Sequence, residues 1–131
     1  MIQLQDGEVF DVMPVDFQFS YYGCSIYDLM FFIFSCTDQE FRKSHMEHLK
    51  NLYHTTMQQF LSLFNMDVEE YYPRAEFERL FKERLDLGLM LSLFILPMLF
   101  NVQDVSTAKQ NKLLCKRMRG IADDFIQWGY L

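Results

Sequence analysis

The chain has 131 residues, which suits a single domain that buries roughly two-thirds of its unfolded surface. Half of its residues are hydrophobic and 17% are aromatic, which is rich for a free-standing domain of this size. The net charge of −6 and the pI of about 4.9 give the chain as a whole no electrostatic reason to bind nucleic acid or an anionic membrane. Composition therefore favours a small ligand or a protein partner.

The cysteines and the N-terminus indicate the cellular compartment. Cys24, Cys36 and Cys115 are odd in number, far apart and without a CxxC pair, which is typical of reduced thiols rather than of a disulfide or zinc scaffold. The N-terminal "MIQLQDGEVFDV" has no basic start followed by an apolar run, so it does not have the pattern of a signal peptide. We therefore expect a cytoplasmic protein.

The first segment predicts a β-hairpin. "IQLQ" is followed by an Asp6-Gly7 turn and by "EVFDVMPVDF", in which apolar residues partly alternate. Asp16 comes where the second predicted strand runs out. Ligand chemistry often collects at strand ends, because side chains there are held by a rigid element and are open to a cleft.

Two helices are predicted next. A short apolar helix spans Ile26 to Ser35, and "TDQE" at Thr37 to Glu40 has the T-x-x-E form of a capping box that would open a second helix. A mostly apolar stripe recurs in this second helix at steps of three and four residues, and we expect it to face the core. The stripe consists of Phe41, His45, Leu49, Leu52, Thr56, Phe60 and Phe64.

The second half of the chain also predicts helices. Pro73 suits the first turn of a third helix, which leads into an uncharged run of 17 residues at Leu87 to Gln103. A spanning helix needs about 20 apolar residues, and Pro97 interrupts this run, so a buried core helix is favoured over a transmembrane one. A fourth helix is predicted from Thr107 to Phe125, ending near Gly129. The chain therefore predicts a hairpin followed by helices in one block.

Familiar catalytic patterns are absent from the sequence. It contains no glycine-rich phosphate loop, no G-x-S-x-G and no HExxH. His45 and His48 have a spacing that suits a metal, but no further ligand is placed to complete a site. Basic residues along the last helix and two acidic pairs are best interpreted as solvated or at helix ends. These are Lys109, Lys112, Lys116 and Arg119, with Glu69-Glu70 and Asp123-Asp124.

Two isolated acids remain, Asp16 and Asp28, inside the uncharged aromatic stretch "VDFQFSYYGCSIYDLMFF". An unpaired carboxylate is costly to bury, so we expect at least one of them to meet a cation, a metal or several hydrogen-bond donors. Asp16 is either a ligand or a turn residue that bonds nearby backbone N–H groups. Asp28 is either a site residue or an acid that caps the start of a helix.

The pattern as a whole resembles a known family. The stretch "PVDFQFSYYGCSIYDLMFFIFSCTDQEFR" resembles the C-terminal lobe of the ecdysteroid kinase-like, or CHK kinase-like, family, which is grouped with choline and aminoglycoside kinases in the protein-kinase-like superfamily. "DFQ" resembles the counterpart of the kinase DFG, and "IYDLMFF" the family's xxDLxxF helix. Three later segments continue the likeness: "HLKNLYHTTMQQFLSLF", "LGLMLSLFILPMLF" and "RMRGIADDFIQWGYL".

The resemblance implies a fold, cofactors and two site residues. It implies a mainly α chain with a short N-terminal β-hairpin, the C-terminal lobe of a protein-kinase-like fold, from a family that transfers phosphate from ATP to a small-molecule alcohol such as an ecdysteroid. Asp16 matches the aspartate that holds Mg²⁺ against the ATP phosphates. Asp28 matches the aspartate that supports the catalytic loop by accepting its backbone N–H bonds. Neither nucleic acid nor membrane is an expected partner.

The chain also departs from the family pattern. The family carries an HGDxWxxN-type catalytic loop ahead of "DFQ", and before it an N-terminal lobe with a nucleotide-binding lysine, whereas this sequence contains no HGD. We therefore interpret residues 1–131 as a partial kinase-like domain that starts after that loop. Phosphoryl transfer relies on positioning and electrostatics, so the chain alone is expected to be inactive and to associate with an N-terminal lobe or a full-length relative.

Two alternatives from other classes stay open. The chain could be a non-catalytic binding lobe, which predicts a stable monodisperse protein without Mg²⁺-dependent nucleotide binding. It could instead be a small membrane-associated helical protein, which predicts that the apolar run partitions into detergent.

Overall fold

The computed structural model describes residues 2–13, 15–20 and 22–131. It is mainly helical with a short N-terminal hairpin, which confirms the predicted fold class. Pro14 and Tyr21, which belong to the stretch quoted for the resemblance, lie outside the described residues. The elements are β1 (Ile2–Gln5), β2 (Glu8–Val12), α1 (Ile26–Cys36), α2 (Gln39–Ser62), α3 (Val68–Tyr71), α4 (Arg74–Glu83), α5 (Leu85–Leu99), α6 (Val105–Gln110) and α7 (Lys112–Gln127).

The hairpin turns at the predicted dipeptide. Asp6 and Gly7 both have positive φ, 54° and 84°, which is the two-residue turn whose twist suits a hairpin. The second strand is shorter than predicted and ends at Val12. Asp16 therefore lies four residues beyond the strand, and the prediction that it stands at the strand end is wrong.

The hairpin has one apolar and one polar face. Gln3 lies opposite Asp11 and Gln5 opposite Glu8 on the polar face. An irregularity between Gln3 and Leu4 takes up the extra residue Phe10 on β2, as a β-bulge does, and so keeps the apolar residues of both strands together. This hairpin face consists of Ile2, Leu4, Val9 and Val12, each between 60% and 63% exposed.

The junction between α1 and α2 corrects the predicted cap. The N-cap of α2 is Asp38, whose carboxylate accepts a hydrogen bond from the Phe41 backbone N–H at 2.9 Å. The predicted capping residue, Thr37, instead donates its hydroxyl to the Ile33 carbonyl at 2.6 Å. Thr37 therefore donates to a backbone carbonyl at the C-terminal end of α1, and Asp38 accepts from a backbone N–H group at the N-terminal end of α2.

Helix α2 turns a different face to the core from the predicted one. Phe41, Leu52 and Phe60 are between 39% and 59% exposed, so the prediction of a core-facing stripe through them is wrong. The buried residues of α2 are Arg42, Lys50 and His54. Their polar ends are satisfied by ion pairs and hydrogen bonds, which is how long charged side chains enter an interior.

The third predicted helix is divided into two. Pro73 caps α4, and the chain breaks at Arg84 before α5 begins. Helix α5 buries only a narrow face, so the prediction of a buried core helix holds for that face alone. In the described part of the chain, no helix is long and apolar enough to cross a membrane. The exposed large apolar residues of α5 are Met90, Leu93, Phe94, Met98 and Leu99, each between 56% and 67% exposed.

The last predicted helix is also divided. Asn111 leaves helical geometry between α6 and α7, and its side-chain oxygen accepts a hydrogen bond from the Leu114 backbone N–H at 3.0 Å. Helix α7 ends at Gln127, and Gly129 follows with a φ of +78°, where glycine avoids the steric penalty of a Cβ. The predicted end near Gly129 is confirmed.

The core is centred on Phe34 of α1. Its ring lies 5.5 Å from that of Phe125 and 6.3 Å from that of Trp128, both near the end of α7 or just past it. Gly88 of α5 approaches so closely that a Cβ there would stand 2.4 Å from the Phe34 ring. Because Gly88 has no side chain, the backbone of α5 packs directly against the Phe34 ring of α1, and α7 closes the third side.

Candidate functional site

Asp16 occupies an unusual backbone conformation. Its φ of 66° and ψ of 65° place it in the left-handed region, which aspartate adopts more readily than most residues but still at a cost. It precedes a short 3₁₀ turn, Phe17–Phe19, and accepts a hydrogen bond through Oδ2 from Gln18 Nε2 at 3.3 Å. The carboxylate is exposed, so it is open to a ligand.

Asp28 lies in the first turn of α1 and is also exposed. No hydrogen bond or ion pair joins its carboxylate to another residue in the described part of the chain. Phe31 and Phe32, three and four positions on, share its side of the helix and are 46% and 50% exposed. Asp28 therefore stands at the edge of an open apolar surface, in the favourable field of a helix N-terminus.

The two acids do not form a metal centre by themselves. Among the described residues, no group of three or more histidine, cysteine, aspartate or glutamate side chains is placed to hold a metal ion. Mg²⁺ is commonly held by one or two carboxylates, with waters and substrate phosphates completing its octahedron. A single open carboxylate such as that of Asp16 is compatible with that mode.

The histidines take other positions. His45 and His48 are exposed on α2, and the ring of His45 lies 4.6 Å from that of Phe41. His54 is buried, and its Nε2 donates to the Tyr72 carbonyl at 3.0 Å. These positions agree with the prediction of solvated or edge-of-core histidines.

A buried ion pair links α2 to α7, and sequence reasoning missed it. Arg42 Nε donates to Asp124 Oδ2 at 2.7 Å, and the two side chains are 1% and 2% exposed. Gln39 Nε2 donates to the other carboxylate oxygen of Asp124 at 3.2 Å. Asp124 lies in the last turn of α7, as the helix-end alternative predicts, but it is buried, so its interpretation as a solvated acid is wrong. The missed signal is a second stripe on α2, which shares Leu49 with the predicted stripe and is otherwise shifted by one residue, to Arg42, Met46, Tyr53 and Met57.

Two arginines close the C-terminal end of α1. Arg42 Nη1 donates to the Thr37 carbonyl at 2.7 Å, and Arg117 Nη2 donates to the Ser35 and Thr37 carbonyls at 2.7 and 3.1 Å. Positive charge at this end of a helix is favourable. Burial, and after it the like charge of Arg42, lowers the pKa of Arg117 from its ordinary value. The cluster ties α1, α2 and α7 together and belongs to the scaffold.

The chain was compared with known proteins. The model of the ecdysteroid kinase-like family matches residues 1–66. That segment contains the hairpin, Asp16, the first-turn acid Asp28 and all of α2. Neither the curated proteins nor the solved structures contain a significant match to the chain. With half of its residues matched, the chain belongs to the ecdysteroid kinase-like family.

Proposed function

We propose that this chain is the C-terminal lobe of a small-molecule kinase that transfers the γ-phosphoryl group of ATP to an alcohol, and that it acts only together with an N-terminal lobe and catalytic loop. The observation that carries the proposal is the family match over residues 1–66, because both candidate acids lie inside it. An ecdysteroid-like alcohol is the expected acceptor class, on the strength of the family alone.

Asp16 is proposed as the metal-binding residue. Its carboxylate is exposed, and among the described residues it accepts one side-chain hydrogen bond, from the amide of Gln18 at 3.3 Å, which involves one of the two oxygens. The other oxygen is free to coordinate a hard cation. Bound Mg²⁺ neutralises the charge of the ATP phosphates during transfer. A left-handed backbone at this residue is the type of strained conformation that tends to occur at ligand sites.

Asp28 is proposed as a positioning residue for the catalytic loop. It is exposed, and it has no partner in the described part of the chain, although Phe31 and Phe32 beside it give the surface an apolar character. A loop seated on this surface would bury the two rings and bring backbone N–H groups to the carboxylate. Such charge-assisted hydrogen bonds are about twice as strong as neutral ones. The predicted role is thus support for a site that Asp28 does not enter.

The exposed apolar surfaces support a partner lobe. The hairpin face is about 60% exposed at each of its four residues, and a two-stranded hairpin is at best marginally stable in water without packing. An N-terminal lobe that covers this face would remove the apolar surface from water and complete the sheet. The proposal therefore accounts for the excess of aromatic and aliphatic residues in the composition.

The test begins with the native transcript. It is sequenced at its 5′ end and read in frame upstream of Met1, where the proposal expects an HGDxWxxN-type loop and an N-terminal lobe. A transcript that starts at this methionine would contradict the kinase function for this product. It would leave the chain as a non-catalytic binding lobe.

The second step measures the complete product. ATP consumption is followed with a panel of hydroxylated steroids, and Asp16→Asn is compared with Asp11→Asn. Asp11 is a matched control because its carboxylate is exposed on the polar face of the hairpin and, within the described residues, accepts a single hydrogen bond, from the Val12 N–H at 2.8 Å. Asp16→Asn should abolish Mg²⁺-dependent turnover, while Asp11→Asn should leave it unchanged. Equal turnover in the two variants would refute the metal assignment.

A further inference from the structure

A cleft of about 440 Å³ opens between α2, α4 and α7, away from the two candidate acids. Its volume lies in the range of small-molecule sites, roughly 300–1,000 Å³. Neither the family match nor the proposed kinase chemistry uses it, because Asp16 and Asp28 are not among its lining residues. The side chains that line the cleft therefore determine what it can bind.

One residue that lines the cleft carries an unpaired donor. Arg42 lines it and is only 1% exposed. Its Nε and Nη1 are satisfied by Asp124 and by the Thr37 carbonyl, but its Nη2 is buried and has no hydrogen-bond partner in the described part of the chain. A buried donor without a partner is costly, so an acceptor that enters the cleft would be stabilised there.

The cleft is more positive than the protein around it. Four cationic and three acidic side chains line it, whereas the chain carries a net charge of −6. Lys50 already forms an ion pair with Glu78, in which Nζ lies 2.6 Å from Oε2. Burial raises the pKa of Glu78, but hydrogen bonds from Lys50 and Arg74 outweigh it and lower the pKa overall.

Two lysines at the rim remain uncommitted. Lys43 and Lys82 are exposed, and neither forms an ion pair with the residues that the structure describes. They lie on α2 and α4, on either side of the opening. A negatively charged ligand would therefore find two lysines without ion pairs at the rim and, in the buried lining residue Arg42, an N–H group without a hydrogen-bond partner.

The remaining wall is apolar. Met46, Phe81, Leu85 and Trp128 contribute aliphatic and aromatic surface, and Phe81 and Leu85 are buried. A purely inorganic anion would leave this wall uncovered. A mostly apolar wall with a few convergent polar groups is the usual composition of a small-ligand site.

We propose that this cleft binds a small amphipathic anion, in which an apolar body packs against Phe81 and Trp128 and a carboxylate or phosphate group is held by Arg42 and the rim lysines. The site is distinct from the proposed kinase centre and does not depend on it. Occupancy would pair the free Arg42 N–H and fasten α4 to α7.

The experiment uses the only tryptophan of the chain. Trp128 lines the cleft, and the sequence contains no other tryptophan, so fluorescence excited selectively at tryptophan, and not at the seven tyrosines, reports on this place alone. The probes are phenylacetate, phenyl phosphate, benzyl alcohol and inorganic phosphate. At least one aromatic anion should give a saturable change with a Kd of about 1 mM or below. Benzyl alcohol should bind about tenfold more weakly, because it lacks charge-assisted hydrogen bonds.

Variants separate the cleft from general charge effects. Lys43→Gln/Lys82→Gln should weaken the aromatic anion and leave benzyl alcohol unchanged. Lys109→Gln/Lys112→Gln removes equal charge from exposed positions outside the cleft and should have no effect. Arg42→Met/Asp124→Leu removes both charges of the buried pair together, a change that commonly preserves folding, and should abolish the preference for anions.

Three results would overturn the proposal. The first is that neither aromatic anion gives a saturable change in Trp128 fluorescence. The unpaired Arg42 N–H would then bind a water molecule instead of a ligand. The second is benzyl alcohol binding as tightly as the anions. The third is equal weakening by the rim variant and by its charge-matched control. A response to phenyl phosphate alone, or to phenylacetate alone, identifies which anionic group the cleft takes.

Discussion

Replacing Asp124 by alanine tests the buried ion pair directly. The change removes the acceptor of the 2.7 Å bond from Arg42 and of the 3.2 Å bond from Gln39. It leaves the guanidinium with Nε and Nη2 both unpaired at a position that is 1% exposed. Breaking a buried pair by removing one partner costs about 3–5 kcal/mol.

That loss is a large share of the total stability. Domains of this size are stable by roughly 5–15 kcal/mol, so a loss of about 3–5 kcal/mol in Asp124→Ala should remove roughly a fifth or more of the free energy of unfolding. Urea denaturation followed by far-UV circular dichroism measures the change as a shift in midpoint at constant slope. In a thermal scan the same loss should lower the Tm by roughly 10 °C or more.

The neighbouring acid provides the control. Asp123 is exposed, so Asp123→Ala should change the free energy of unfolding by no more than about 0.5 kcal/mol. Arg42→Met/Asp124→Leu should recover most of the stability lost in Asp124→Ala, because neither charge is then left alone. If Asp124→Ala costs less than about 1 kcal/mol, the pair is not buried as described, and the reasoning from its geometry fails.

Three further changes test other features. Gly88→Ala should destabilise by about 1–3 kcal/mol in urea denaturation, because the clash with Phe34 exceeds the gain in helix propensity; a stabilised variant would contradict the close approach. Asp38→Ala should lower the free energy of unfolding by about 0.5–2 kcal/mol, and Glu40→Ala should leave it nearly unchanged. A larger loss in Glu40→Ala than in Asp38→Ala would instead support the predicted capping box. Glu78 has a lowered pKa in the folded state, so its contribution is present above the unfolded value of 4.5 and is lost as the pH falls below it. The urea midpoint of Glu78→Gln should therefore lie below that of the parent at pH 7 and approach it at lower pH. A difference between the two midpoints that does not change with pH would refute the stabilising role of the Glu78 carboxylate.

The features that local rules determine were predictable from the sequence. Backbone preferences of neighbouring residues determine the Asp6-Gly7 turn, the short apolar helix α1 and the end of the last helix near Gly129. The family likeness was predictable for the same reason, because its motifs are short and ordered. Asp16 and Asp28 were identified because they are the only acids in an uncharged stretch. Their roles remain predictions.

The features that depend on distant residues were not predictable. Arg42 and Asp124 lie 82 positions apart, and nothing local to either residue distinguishes a buried charge from a solvated one. The same lack of partner information led to the wrong face of α2, because Phe41 and Leu52 are apolar but are exposed. Hydrophobic periodicity identifies a helix, but a single sequence does not say which of two overlapping stripes is covered.

The exposure of the hairpin has a consequence for how the molecule opens. All strand residues of β1 and β2 are exposed. Where the structure describes the chain, the sheet has two strands, so each strand leaves one edge unpaired there. Amide hydrogens of this segment should exchange with solvent by local opening at almost no free-energy cost, while those around Phe34 should exchange only when the helices unfold. The N-terminal segment is thus a separate cooperative unit, and its protection from exchange would measure directly whether another lobe has docked.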